Sequence, residues 1–253
     1  MSSTIVATTK TKPSIIVDHV TKQFLKRNTH SFKEAFVSWI KGKKVRADVF
    51  KALDDVSFQI GEGESVAVLG FNGSGKSTTL KMVSGVLEPD AGRVFTRGRV
   101  AGLIEVGAGF HPDLSGRENV YLNAAILGMS AKQIDERFDD IVAFSEIGDF
   151  IDTEVKHYSS GMFMRLAFAV AIHVDLDVLL VDEVLSVGDA PFREKCYQKI
   201  EELVTQGVTM LVVSHDMSTV QRLCSRGIVI HDHKVLFDGD IEEAVQVLRS
   251  TPH

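Results

Sequence analysis

An α/β fold is predicted for this 253-residue chain by three observations. First, residues 70–78, GFNGSGKST, satisfy the pattern G-x-x-x-x-G-K-[ST]. They stand between a short apolar run of the buried-strand type, 65–69 (SVAVL), and a stretch with helical apolar spacing, 78–86. Second, further short apolar runs at 178–181, 209–213 and 227–231 alternate with helix-like stretches, the pattern of strands packed under helices. Third, a hydrophobic content of 44% supplies core enough for one large α/β domain or two modest ones.

In chain order, residues 1–13 are polar and Thr-rich and read as a mobile tail. Residues 14–24 and 49–60 follow as strands, and they flank an insert of helical character over residues 25–48. Within the insert Ser31 and Glu34 form a capping box. Phe32, Phe36, Trp39 and Ile40 share one helical face, and Lys41, Lys43, Lys44 and Arg46 follow its end. Such a helix suits a membrane surface or a membrane partner, and equally a seat against its own domain.

The loop 70–78 has the chemistry of a phosphate cradle. Gly70, Gly73 and Gly75 allow backbone conformations closed to other residues and turn N–H groups inward. Asn72, Ser74 and Thr78 complete the loop at a helix start whose dipole favours an anion. Lys76 brings a cation to the β- and γ-phosphates, and Ser77 a hydroxyl to Mg²⁺. A phosphate loop needs a second strand bearing carboxylates, and the run 178–181 (VLLV) delivers Asp182 and Glu183 at its exit. Asp182 is the expected Mg²⁺ ligand, and Glu183 the expected general base for water attacking the γ-phosphate in line.

Strands are expected within 93–103, then a helix-rich stretch over 117–174 that reads as an inserted helical subdomain, and a hairpin and short helix at the end. No internal repeat is present, so residues 14–253 are expected to form a single domain. Lys+Arg 28 against Asp+Glu 34 gives a net charge of -6, and no dense basic run accompanies the aromatic residues, so no nucleic-acid partner is expected. Cys196 and Cys224 lie far apart without a C-x-x-C partner, as packed thiols of a reducing cytosol do. No stretch approaches the ~18 apolar residues of a membrane span, so a transport role would need a separate membrane subunit. His231 and His233 lie two apart on a strand, with no third metal ligand evident.

Residues 158–162, YSSGM, stand directly before the helical run 163–171, a second anion site at a helix start. Here the chain resembles the ABC-transporter ATPases, whose signature at this place is typically L-S-G-G-Q; it departs at Tyr158, Ser160 and Met162. The resemblance covers residues 14–249 and implies a P-loop fold with a mixed core sheet, an N-terminal antiparallel β subdomain and an inserted helical subdomain. It implies ATP and Mg²⁺ as ligands, and a homodimer in which Ser159, Ser160 and Gly161 of one chain close over the ATP held by Lys76 of the other. By the same resemblance His215, in LVVSHD, contacts the γ-phosphate and orients the attacking water. Asp189, in SVGD, lies in a loop that crosses the dimer interface, and Phe24 stacks on adenine, with Phe24 as plain core the rival reading. Where most members carry a glutamine that links the metal site to the membrane subunit, this chain has Glu105 as the nearest polar residue, a weaker candidate for the metal.

Two stretches, 103–119 (LIEVGAGFHPDLSGREN) and 182–196 (DEVLSVGDAPFREKC), with Val184 where most members have Pro, resemble the ATPase subunits of polysaccharide exporters. That implies a peripheral subunit on the cytoplasmic face of the cell membrane, bound to a separate integral membrane permease dimer that handles a lipid-linked glycan. It also favours a membrane-facing role for the insert around Trp39. A soluble nucleotide-gated regulator is the alternative; such proteins usually carry two fused cassettes, and this chain has one. A P-loop kinase, a third class, should carry an Arg-rich lid in place of the Ser-Ser-Gly helix cap.

Overall fold

The computed structural model describes residues 12–26, 48–103, 107–182 and 189–252. The insert at 27–47, together with Glu105 and Glu183, lies outside the described residues. Strands β1 (Pro13–Lys26), β2 (Asp48–Gly61) and β4 (Ala91–Thr96) form a three-stranded antiparallel sheet in the order β2-β1-β4. Pro13, assigned to the tail by composition, opens β1 opposite Gly61, because the Lys12 carbonyl accepts the Glu62 N–H and ties that end down.

A second sheet of six strands has the order β5-β6-β7-β3-β8-β9. It comprises β3 (Ser65–Leu69), β5 (Val100–Gly102), β6 (Val178–Val181), β7 (Thr209–Val213), β8 (Arg226–His231) and β9 (Lys234–Asp240). All neighbours are parallel except the β8–β9 hairpin at one edge, so the sheet is mixed. The central strands β3, β6 and β7 are buried along their whole length, as parallel strands covered on both faces must be. Alternate residues then serve two cores: Val66, Val68, Leu211 and Val213 face a cluster with Phe58, Ile60 and Leu80. Ala67, Leu69, Met210 and Val212 face a cluster with Phe168, Phe192 and Ile200.

The α-helices among the described residues are α1 (Lys76–Val83), α2 (Gly116–Ile126), α3 (Ala131–Ser145), α4 (Ser160–Ile172), α5 (Ala190–Thr205), α6 (Met217–Leu223) and α7 (Ile241–Ser250). Reciprocal capping boxes, Ser115 with Glu118 and Ser130 with Gln133, start α2 and α3. These helices gather a third cluster around Val120, Ile134, Phe138 and Ile141. Helix α4 belongs to both bodies: Leu166, Ala169 and Val170 face this third cluster, whereas Ala167, Phe168 and Ala171 face the sheet. Its whole second half is buried, so its N-terminus is held in a defined place. Truncating Phe168 to Ala would cost about 3–5 kcal/mol and loosen that hold.

Candidate active site

The exits of β3, β7 and β6 lie level, since Val68 pairs with Val213 and Val212 with Val181. One sheet edge therefore presents the loop after β3, His215 two residues after β7 and Asp182 one residue after β6, at the carboxyl ends of parallel strands where α/β proteins bind ligands.

Helix α1 starts at Lys76, two residues before the apolar periodicity begins, because its cap is Gly75. Gly75 has φ +107°, and a Cβ there would lie 2.4 Å from the Ala52 carbonyl oxygen, so no side chain fits. The helix has no side-chain cap, which leaves its first N–H groups for an anion. Gly73, at φ +81°, would present a Cβ to open space, with nothing within 4 Å, and forms the open lip of the loop. The buried Lys76 Nζ donates to the carbonyls of Gly70 (2.8 Å) and Phe71 (3.0 Å), strapping the loop across its mouth. Thr79 Oγ1 donates to the Gly75 carbonyl at 3.0 Å, while Ser77 is exposed. Ser74 Oγ is buried and, among the described residues, without a hydrogen-bond partner. A tight loop with a buried ammonium, an uncapped helix start and an exposed hydroxyl beside it fits a metal-bound polyphosphate, with Ser77 and Asp182 the residues suited to the ion.

A cavity of about 300 Å³ covers this loop, lined by Asn72, Gly73, Gly75, Lys76, Ser77 and Thr78 together with Phe24, Phe50 and Ala52. Phe24 is 41% exposed, so it is no core residue. Phe50 stands directly opposite it in the β1–β2 register. Sequence reasoning missed Phe50, because pairing across a long insert cannot be read from spacing.

His215 is exposed in a tight strand-to-helix turn. The Asp216 N–H donates to Ser214 Oγ, and the Asp216 carboxylate accepts from Ser218 and Thr219, which caps α6 and holds that carboxyl below its ordinary pKa. The turn thus fixes His215 in place by bonds on either side of it.

Ser159, Ser160 and Gly161 lie exposed at the start of α4, where the Ser159 hydroxyl accepts the Met162 N–H. Tyr158, which departs from the family pattern, has a structural reason: its hydroxyl donates to the Phe150 carbonyl at 2.8 Å, fastening the turn to the helical region. Met162 packs against the third cluster, whereas nothing in the structure explains Ser160. None of residues 159–161 lines the cavity over the phosphate loop.

Asp189 caps α5 and accepts from Arg165 of α4 at 2.7 Å. Arg165 also donates to Glu146 at 2.7 Å and lies over the Phe192 ring, 4.6 Å from its centroid. Lys195 completes the cluster at 3.0 Å from Glu146, and these donors hold the Glu146 carboxyl below its usual range. The signature helix and the loop before α5 are therefore joined within one chain. Arg165, six residues after Ser159, could be found only once the fold was known.

Glu105 lies outside the described residues, but the segments on either side line an apolar groove of about 210 Å³ with Lys81, Val86, Ile126, Ala167 and Ala171. No group of three or more metal-ligating side chains occurs among the described residues. His233 instead bonds the Ala52 carbonyl through Nδ1, and His231 meets Phe71 edge-on. No helix among the described residues is long and apolar enough to cross a membrane.

A phosphate loop on an inner strand of a mixed sheet, with an acid at the exit of a nearby strand, defines a P-loop nucleoside triphosphatase. A family model described as ABC transporter matches residues 53–186. Over 246 residues the chain is 44% identical to the O-antigen export system ATP-binding protein RfbB of Klebsiella pneumoniae, covering 94% of this chain and 98% of that one. It is 40% identical to the teichoic acids export ATP-binding protein TagH of Listeria innocua, covering 92% of this chain and 68% of that one. Among solved structures, a dimeric ATP-binding cassette in a post-hydrolysis state with ADP and Pi shares the fold, with a TM-score of 0.70 and 23% identity over 90% of this chain and 98% of that one. The chain belongs to the ABC transporter family, as an ATP-hydrolysing transport ATPase.

Proposed function

We propose that this ATPase powers export of a lipid-linked polysaccharide across the cytoplasmic membrane, as a homodimer bound to a separate integral membrane permease dimer. The observation that carries the glycan assignment is similarity along nearly the full length of both chains to a protein named for O-antigen export. The second relative is named for export of teichoic acids, which widens the class beyond O-antigen.

The split site is supported by the placement of 159–161 away from the phosphate-loop cavity. Two chains related by a two-fold axis would each lend Ser159, Ser160 and Gly161 to the other's γ-phosphate, which makes the interface isologous. In each site Gly70, Asn72, Gly73, Ser74, Gly75 and Thr78 wrap the polyphosphate and Lys76 neutralises its outer phosphates. Glu183 accepts the proton of the attacking water, and His215 donates to the γ-phosphate and orients that water. Ser77 and Asp182 would hold Mg²⁺, with Glu105 a further donor; the ion supplies charge neutralisation on the phosphates. Asp189 would pass the state of one site to the other.

The apolar groove lined by Lys81, Gly102, Gly107 and Ile126 is the face we assign to the permease. The insert around Trp39 would have a membrane-facing role, and the complex would sit on the cytoplasmic face. The test is made in cells that encode the chain: replacing Lys76 by Ala should leave completed polymer on its lipid carrier inside the cytoplasmic membrane. Normal surface polymer in that variant would overturn the assignment.

A further inference from the structure

Besides the phosphate loop, the cavity is lined by two large rings that the fold leaves exposed. Phe24 is 41% exposed and Phe50 36% exposed, opposite each other in the antiparallel β1–β2 pair. Directly opposed side chains stand on the same face with Cβ atoms ~4.5–5.5 Å apart, so the rings flank one space. Both line the cavity with Lys76 and Thr78. Exposed aromatic pairs forgo burial that the core offers elsewhere, and a flat π-faced ligand restores it.

Phe50 is not free to turn away. The His233 ring meets it edge-on, with centroids 5.3 Å apart and planes at 89°. His233 is itself fixed twice, through Nδ1 to the Ala52 carbonyl at 3.2 Å and through its own carbonyl, which accepts the Asp54 N–H at 2.8 Å. It occupies the β8–β9 hairpin turn, where Asp232 and His233 both have positive φ, 47° and 65°, the signature of a two-residue type I′ turn. Ala52, the acceptor for His233, lines the cavity and is also the residue whose carbonyl crowds Gly75. The hairpin turn thus reaches both the phosphate loop and the aromatic wall through one residue of β2.

We infer that Phe50, braced by His233, forms with Phe24 a two-ring wall for the nucleobase, so that the β8–β9 turn sets how tightly the base is held. Phe50 touches the base; His233 is a positioning residue that acts through the Phe50 ring. The inference rests on the nucleotide reading of the phosphate loop and deepens it.

The experiment measures binding of ATP and of inorganic triphosphate, each with Mg²⁺, to the full chain by titration calorimetry. Losing one base stack weakens binding by about five- to 150-fold. Phe50→Ala is therefore expected to weaken ATP at least about five-fold and leave triphosphate unchanged, while Phe50→Tyr restores ATP affinity. His233→Asn keeps a residue that tolerates positive φ and removes the ring; it is expected to weaken ATP several-fold, again without affecting triphosphate, whereas Phe50→Ala/His233→Asn is no weaker than Phe50→Ala. Wild-type ATP affinity in Phe50→Ala, or an equal loss for both ligands, overturns the inference and leaves the phosphate site standing. Failure of the unaltered protein to bind either ligand overturns the nucleotide reading itself.

Discussion

A Gly161→Asp substitution places a carboxylate in the first turn of α4, where a Cβ would meet nothing closer than Ser159 Oγ at 3.8 Å. The folded chain accommodates it. Exchanging Gly for Asp in a helix gains about 0.3 kcal/mol of propensity, and an acid near a helix N-terminus gains about 0.3–1 kcal/mol from the dipole. The sum, near 1 kcal/mol, raises the melting temperature by about 2–4 °C in a domain of this size. In the proposed dimer, where the γ-phosphate is held by the other chain, the same charge is repulsive. At ~4 Å and an effective dielectric constant of 20 the repulsion is about 4 kcal/mol, close to a thousand-fold in rate. Circular dichroism should show a melting point unchanged or raised, calorimetry an unchanged affinity for ATP, and phosphate release a loss of about a thousand-fold. Hydrolysis at the wild-type rate by a stable Gly161→Asp protein would refute the reasoning. A loss of ATP affinity in the lone chain would instead put the helix start in its own chain's site.

Gly75→Ala should lower stability by about 2–5 kcal/mol, from left-handed backbone strain and a clash with Ala52, and abolish nucleotide binding; urea denaturation and calorimetry check both. Burial pushes the His173 pKa below its ordinary value of 6.5, so the unfolded chain protonates first as pH falls. Stability is then full above pH 6.5 and declines below it, and His173→Gln should flatten that part of a melting-temperature profile. Burial pushes the thiols of Cys196 and Cys224 up to about 12, so both should resist alkylation at pH 8 until the chain is unfolded, as mass spectrometry would show. Arg165→Gln should keep ATP affinity but lower turnover, and adding Asp189→Asn should lower it little further, because both remove one link; additive losses in a double-mutant cycle would contradict this.

The strands were legible wherever burial imposes a pattern: 65–69, 178–181 and 209–213 are buried throughout, and apolar but for Ser65 and Thr209, because both faces of the sheet are covered. The apolar periodicity after the phosphate loop begins two residues inside the helix, since neither Lys76 nor Ser77 is apolar. The register of β1 on β2 was not legible. Irregularities near His19 and Asp55, both with positive φ, and the long insert erase any spacing rule between Phe24 and Phe50. The phosphate loop announces itself because its chemistry needs contiguous residues. Arg165 and Asp189 were invisible as a pair because their chemistry needs only proximity, and 24 positions separate them.

The central claim, that two chains complete each other's sites, is tested most directly by light scattering on Glu183→Gln with Mg²⁺ and ATP. Removing the expected base should stop hydrolysis after closure, so the account predicts a change from protomer to twice the protomer mass on adding ATP, and none with Gly161→Asp added. A Glu183→Gln protein that binds ATP and remains at protomer mass would contradict it.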